Sequence, residues 1–125
     1  MIPRGERLYA IGDVHGRLDL LTRLMGRIDA DEARRPRLRT TIILLGDLVD
    51  RGPDSAGIIA ALREWRKTRR IRILCGNHEE MFLRAFTAPA VVGPFLLYGG
   101  HETLLSYGVE GDALRDADPA DVQAL

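Results

Sequence analysis

Three apolar runs in this chain end in glycine, and each glycine is followed at once by an acid or an amide. Residues 8–11 run into Gly12, Asp13, Val14, His15 and Gly16. Residues 41–45 run into Gly46, Asp47, Leu48, Val49, Asp50, Arg51 and Gly52, and residues 71–75 run into Gly76, Asn77, His78 and Glu79. A short apolar run closed by glycine reads as a strand ending in a tight turn. Three such strands side by side would carry the residues after each turn to one common point, and no other feature of the chain restricts the fold as much.

Helices separate the runs. Leu21, Leu24, Met25 and Ile28 have the spacing of one buried helix face, with Asp19 as a candidate cap and Pro36 forbidding a simple continuation. The second run is apolar throughout, the profile of a strand covered on both faces in a parallel sheet. A second helix follows Pro53, capped by Asp54 or Ser55, with Ile58, Ala61, Leu62 and Trp65 as its stripe. A third begins with Glu79 and Glu80, acids placed where the helix dipole favours them, and turns Met81, Phe82, Ala85 and Phe86 to the core. The expected fold is therefore α/β, a parallel β-α-β-α-β core with right-handed crossovers. Ligands of such sheets bind beyond the carboxyl ends of the strands, where all three glycine motifs fall.

Beyond Pro89 the pattern weakens. Gly93-Pro94 and Gly99-Gly100 predict loops, residues 102–107 a short helix broken at Gly108, and Asp118-Pro119 the start of another. That last helix reaches only its first turns by Leu125. The expectation is one domain over residues 1–125, cut short. An unpaired half-domain would leave one apolar sheet face open, which predicts a homodimer or poor solubility.

Composition narrows the partners. A net charge of zero, with 46% apolar and 29% charged residues, gives no reason to expect nucleic acid or a membrane surface. The arginine-rich stretches 34–39 and 66–70 read as solvated surface. A single cysteine, Cys75, cannot form an internal disulfide and suits a reducing cytoplasm. Residues 1–7 lack the apolar core of a signal peptide, and no run is long enough to span a bilayer. The expected location is cytoplasmic.

The motifs carry hard oxygen and imidazole donors. Asp13 and His15, two residues apart in an extended segment, point the same way and can share a cation. Asp47 can bridge two cations, and Asn77 offers an amide oxygen. This donor set favours manganese, iron, zinc or magnesium over copper(I) or an iron–sulfur cluster. Two divalent cations bridged at about 3.5–4 Å are the usual device for activating water against a phosphoester. Arg51 could hold the remaining phosphoryl oxygens with its planar fork. His78 could protonate the leaving group, held by Asp50 in one tautomer. Singly, each aspartate reads as a turn residue and Asn77 as a cap; three motifs with one chemistry at three strand ends argue against coincidence.

These blocks resemble the first three signature motifs of the calcineurin-like metallophosphoesterases, and within them the phosphoprotein phosphatase branch, especially its bacterial and phage serine/threonine phosphatases. The similarity extends through Pro53, Asp54 and Ser55 and through the region of Gly99, Gly100, Thr103, Ser106, Tyr107 and Gly108. It implies the N-terminal half of an α-β-β-α sandwich. It implies a first cation at Asp13 and His15, Asp47 as the bridge, Asn77 on the second cation, His78 as general acid oriented by Asp50, and Arg51 on the phosphate. The implied substrate is a phosphoprotein bearing phosphoserine or phosphothreonine, with manganese first among the metals.

Two departures bear on this. Many members of the family have an arginine where this chain has Cys75, as do few of the symmetric dinucleoside tetraphosphatases, so a hydrolase of the diadenosine-tetraphosphate type is the alternative. The family also supplies three further histidine ligands from its second half, whereas this chain has three histidines in all. His101 falls in a glycine-rich loop and reads as a loop residue, not a ligand. An incomplete catalyst binding at most one metal is therefore the reading from a different class. A nucleotide-binding sheet is disfavoured, since no Gly-x-Gly-x-x-Gly or P-loop occurs.

Overall fold

The computed structural model describes residues 2–111; the helix expected at Asp118-Pro119 lies outside the described residues. Strands β1 (Glu6–Ile11), β2 (Arg39–Leu44) and β3 (Ile71–Ile73) form a parallel sheet in the order β1-β2-β3. Helix α1 (Leu18–Ala33) connects β1 to β2, and α2 (Ser55–Trp65) connects β2 to β3. The expected β-α-β-α-β core is present, with β3 shorter than its apolar run.

The register explains the core. Tyr9 and Ile11 pair with Ile42 and Leu44, and Ile42 pairs with Ile71, so these residues share one sheet face. On that face Ile11, Ile42, Leu44 and Ile71 cluster with Leu21, Met25 and Ile28 of α1 and with Ile58 and Leu62 of α2. Burying each such side chain stabilises the fold by about 1.5–3 kcal/mol. The opposite face carries Leu8, Ala10 and Ile43, continued by Leu45 and Leu74; Leu8, Leu45 and Leu74 are 37%, 51% and 50% exposed. β2 is thus closed on one face and only partly covered on the other, where Thr41 is buried, Ile43 half-buried and Leu45 exposed, which corrects the expectation of a strand covered on both. The apolar run is long enough for either; what differs is that α1 and α2 both pack on the same face.

Helix starts follow local chemistry. Asp54 caps α2 by accepting the Gly57 N–H at 2.7 Å. Asp19 is not the cap of α1; that position is Arg17, without a side-chain capping bond, and Asp19 sits in the first turn. There it accepts two hydrogen bonds from the Arg17 guanidinium, at 2.8 and 2.7 Å, which hold its carboxyl down to about 2. Leu24 is 38% exposed, outside the buried face assigned to it.

Helix α3 (Asn77–Ala85) leads into α4 (Pro89–Phe95), a π-turn at Leu96–Gly100, and α5 (His101–Ser106). The predicted loops at Gly93-Pro94 and Gly99-Gly100 are therefore helical. The glycine signal survives as a kink, because Gly99 has φ +105° inside the π-turn. Ala85, Val92 and Phe95 form a second core with Met81, Phe82, Leu96 and Leu104, and the Phe82 and Phe95 rings stack at 5.4 Å. Phe86, expected in this core, is 57% exposed.

Candidate active site

The three motif loops touch one another. A Cβ placed on Gly46, where φ is +108°, would lie 2.4 Å from the Gly76 nitrogen. Only glycine fits both that conformation and that approach. Four residues that are not glycine also adopt positive φ: His15 (+43°), Asp47 (+53°), Asp50 (+72°) and Arg51 (+69°). Each such conformation costs on the order of 1 kcal/mol and persists only where its surroundings over-determine it. All four belong to the chemical motifs.

The surroundings do over-determine them. The Asp47 carbonyl accepts the N–H groups of Val14 and His15 at 2.9 and 3.0 Å, which ties the first loop to the second. The Glu79 carboxylate accepts four backbone N–H groups: Asp47 at 2.7 Å, Leu48 at 2.7 Å, Val49 at 3.2 Å and Gly76 at 2.9 Å. This ties the second loop to the third. The His78 N–H donates to Asp47 Oδ1 at 3.1 Å, which orients that carboxylate.

Asp13, His15 and Asp47 each offer a ligand atom within 4.8 Å of one another, the one such group among the described residues. Ligands opposed across a cation at about 2.0–2.2 Å lie roughly 4 Å apart, so small side-chain rotations would close the set. His15 Nδ1 donates to the Val49 carbonyl at 2.9 Å. This fixes its tautomer and leaves Nε2, 3.7 Å from Asp13 Oδ2, as the nitrogen able to ligate a cation. Two carboxylates and one imidazole nitrogen fit a hard or borderline divalent cation.

Beside this cluster lies a buried network. Asp50 is fully buried, and its Oδ2 accepts the His78 Nδ1–H at 2.8 Å. Its Oδ1 accepts the Thr103 hydroxyl at 2.6 Å, and its backbone N–H donates to Thr103 Oγ1 at 2.8 Å and Ser55 Oγ at 3.1 Å. The carboxylate is thus satisfied inside the protein, and His78 is held as the Nδ1–H tautomer with Nε2 turned toward Arg51. Arg51 is exposed on its side chain but anchored by its backbone, whose N–H donates to the Gly99 carbonyl at 3.0 Å. Its Nη1 lies 3.2 Å from His15 Nε2 and its Nη2 3.2 Å from His78 Nε2.

The structure therefore brings together Asp13, His15, Asp47, Asp50, Arg51 and His78. Asn77 is the exposed first residue of α3, joined to the group through its neighbours Gly76 and His78. His101 opens α5 and lies in a helix, not in the expected loop, outside the ligand group. Cys75 is exposed just before Gly76. Sequence reasoning missed the roles of Glu79, Ser55 and Thr103. Glu79 stands three residues after Gly76, the spacing of a side chain reaching back to a helix cap; its reach to residues 47–49 had no local sign. Thr103 lies 53 residues from Asp50, and nothing in the local pattern connects them.

A family model described as calcineurin-like phosphoesterase matches residues 6–119. The serine/threonine-protein phosphatase 1 of Salmonella typhimurium is 38% identical over 81 residues, which cover 64% of this chain and 33% of that relative. Symmetrical bis(5'-nucleosyl)-tetraphosphatases are similar as well. That of Paracidovorax citrulli is 41% identical and that of Klebsiella pneumoniae 38% identical, each over 78 residues, 62% of this chain and 25% of the relative. The matched stretch thus spans a third or less of the length of these relatives.

Proposed function

Since the chain belongs to the calcineurin-like phosphoesterase family, we propose that it carries the water-activating half of a metal-dependent phosphoester hydrolase, with phosphoserine and phosphothreonine of proteins as the substrate class. The observation that carries this reading is the adjacency of a ligand group (Asp13, His15, Asp47) to a buried Asp50–His78 dyad and a guanidinium. Divalent cations bound at such a group supply Lewis-acid activation of water and neutralise charge on the phosphoryl oxygens. Asp13, His15 and Asp47 would hold the first cation, and Asp47 and Asn77 would contribute to a second. Asp50 holds the His78 ring so that Nε2, once it has taken up a proton from solvent, can pass that proton to the leaving alkoxide. Arg51 presents two N–H groups to the phosphoryl oxygens.

The matched stretch covers a third or less of these relatives; residues 1–125 are read as the first half of one metallophosphoesterase domain on the three motifs they carry. The open apolar sheet face supports a homodimer or a second half covering it. Manganese is the proposed metal, on donor chemistry, and the cytoplasm the proposed location, on the single cysteine. Among the described residues no helix is long and apolar enough to cross a membrane.

The test is hydrolysis of p-nitrophenyl phosphate by the 125-residue chain with and without Mn²⁺, beside Asp47→Asn. A manganese-dependent rate abolished by the substitution is expected of a self-sufficient enzyme. An unchanged rate in Asp47→Asn would remove the bridging assignment. Cation binding without turnover would identify an incomplete catalyst. A second reading, hydrolysis of dinucleoside tetraphosphates, is favoured by the exposed Cys75 at the position before Gly76 and by the second group of relatives. A strong preference for diadenosine tetraphosphate over a phosphopeptide would establish it.

A further inference from the structure

Arg51 holds a position that its role as a phosphate clamp does not require. A guanidinium N–H can only donate a hydrogen bond. His15 Nδ1 already donates to the Val49 carbonyl, so His15 Nε2 meets Arg51 Nη1, at 3.2 Å, with its lone pair. His78 Nδ1 is likewise engaged by Asp50, so its Nε2 receives Arg51 Nη2, at 3.2 Å, in the same way. The two imidazole rings stand edge to face at 4.7 Å, and one guanidinium spans both lone pairs. A cation needs the His15 lone pair, and the proton that His78 would pass to the leaving group must first bind the His78 one. Arg51 covers both.

We propose that Arg51 is an internal competitor for the first cation: a metal enters at His15 only as the guanidinium leaves, and loading the metal frees the clamp for the phosphate. The backbone allows the exchange, because the Arg51 N–H is fixed to the Gly99 carbonyl and a Cβ on Gly99 would lie 2.6 Å from the Arg51 nitrogen. The main chain therefore stays put while the exposed side chain swings. Arg51 then sets metal affinity and couples metal loading to two events, release of the phosphate clamp and uncovering of the acid.

This rests on reading Asp13, His15 and Asp47 as the site of the first cation, and the experiment separates the two ideas. Mn²⁺ binding to the 125-residue chain is measured by calorimetry for the unaltered protein and for Arg51→Gln, at low salt and at 1 M KCl. Losing one charged hydrogen bond to the ligand atom should tighten Mn²⁺ binding in Arg51→Gln by about ten-fold or more. The ratio should persist at high salt, where the screening length falls to roughly 3 Å. Equal affinities, with binding abolished by Asp13→Asn, would overturn the competition and leave the metal site standing. A ratio that collapses to one at 1 M KCl would assign the effect to through-space repulsion and also overturn it. Binding to neither protein would overturn both readings.

Discussion

Asp47 and Asp50 stand in one loop and have opposite surroundings. Asp47 is half-buried beside Asp13, whose side chain is 67% exposed, in a group whose free oxygens face outward. Asp50 is fully buried and has donors on both carboxylate oxygens from Thr103 and His78. Burying an ionised carboxylate is tolerable only when it is paired and hydrogen-bonded, so Asp50 is a finished structural element that orients a ring. The Asp13–Asp47 side keeps spare acceptors that a cation could take. The two halves should therefore answer differently to the same perturbations.

The largest effect should come from the residue that joins the halves. Glu79→Ala removes one carboxylate from four backbone donors in the half-buried space between the loops. Stranding such donors and releasing the strained Asp47 conformation should cost about 3–5 kcal/mol, read as a lowered urea midpoint. A midpoint within error of the unaltered protein would show that the loops hold themselves and that the contrast between Asp47 and Asp50 does not depend on Glu79.

Next in size is the response of the open half to cations. Mn²⁺ at a hundred times its dissociation constant should raise the unfolding free energy of the unaltered chain by about 2.7 kcal/mol. Asp13→Asn should lose most of that gain while changing stability without cation by less than about 0.5 kcal/mol. If Asp13→Asn were strongly destabilising without metal, the open half would be structural after all. The closed half should behave in reverse. Thr103→Val removes a donor to Asp50 Oδ1 and an acceptor of its N–H, and should cost about 1–3 kcal/mol whether or not Mn²⁺ is present. Thr103→Ser should recover most of it.

The contrast also marks what the sequence made legible. The β-α-β-α-β core could be read because its signals are local: glycine after each apolar run, and the Leu21, Met25, Ile28 spacing on α1. The open group could be read because each ligand follows a strand end. Of the closed half, the contact of Asp50 with His78 could be read from the motif chemistry, but its support could not, since Thr103 and Ser55 reach Asp50 across 53 and 5 residues through an α2–α5 packing that no short pattern encodes. Residues 93–100 misled for a physical reason. Proline and glycine usually break helices, but here Gly99 supplies a kink whose carbonyl is taken by Arg51, and Gly100 lies against Phe95 so closely that a Cβ would come within 2.3 Å of its ring. Tertiary contacts absorbed the breakers.

The smallest effect concerns a third kind of carboxylate, exposed like Asp13 but already paired like Asp50. Asp19 faces solvent with a side chain that is 59% exposed and binds the Arg17 guanidinium through both oxygens. That hydrogen bonding lowers its carboxyl from 3.8 to about 2. A carboxyl depressed in the folded state stabilises the fold above its unfolded value, and the contribution fades as pH falls toward the folded one. The Asp19 contribution should therefore be complete above about pH 4 and lost by about pH 2. Measured as the difference between unaltered protein and Asp19→Asn, it should be small and should shrink further in 1 M salt, because an exposed pair is screened. Asp50, being buried, should show no such salt sensitivity in the cost of Thr103→Val. Should the two respond alike to salt, burial would not be what separates the closed half of the site from its surface.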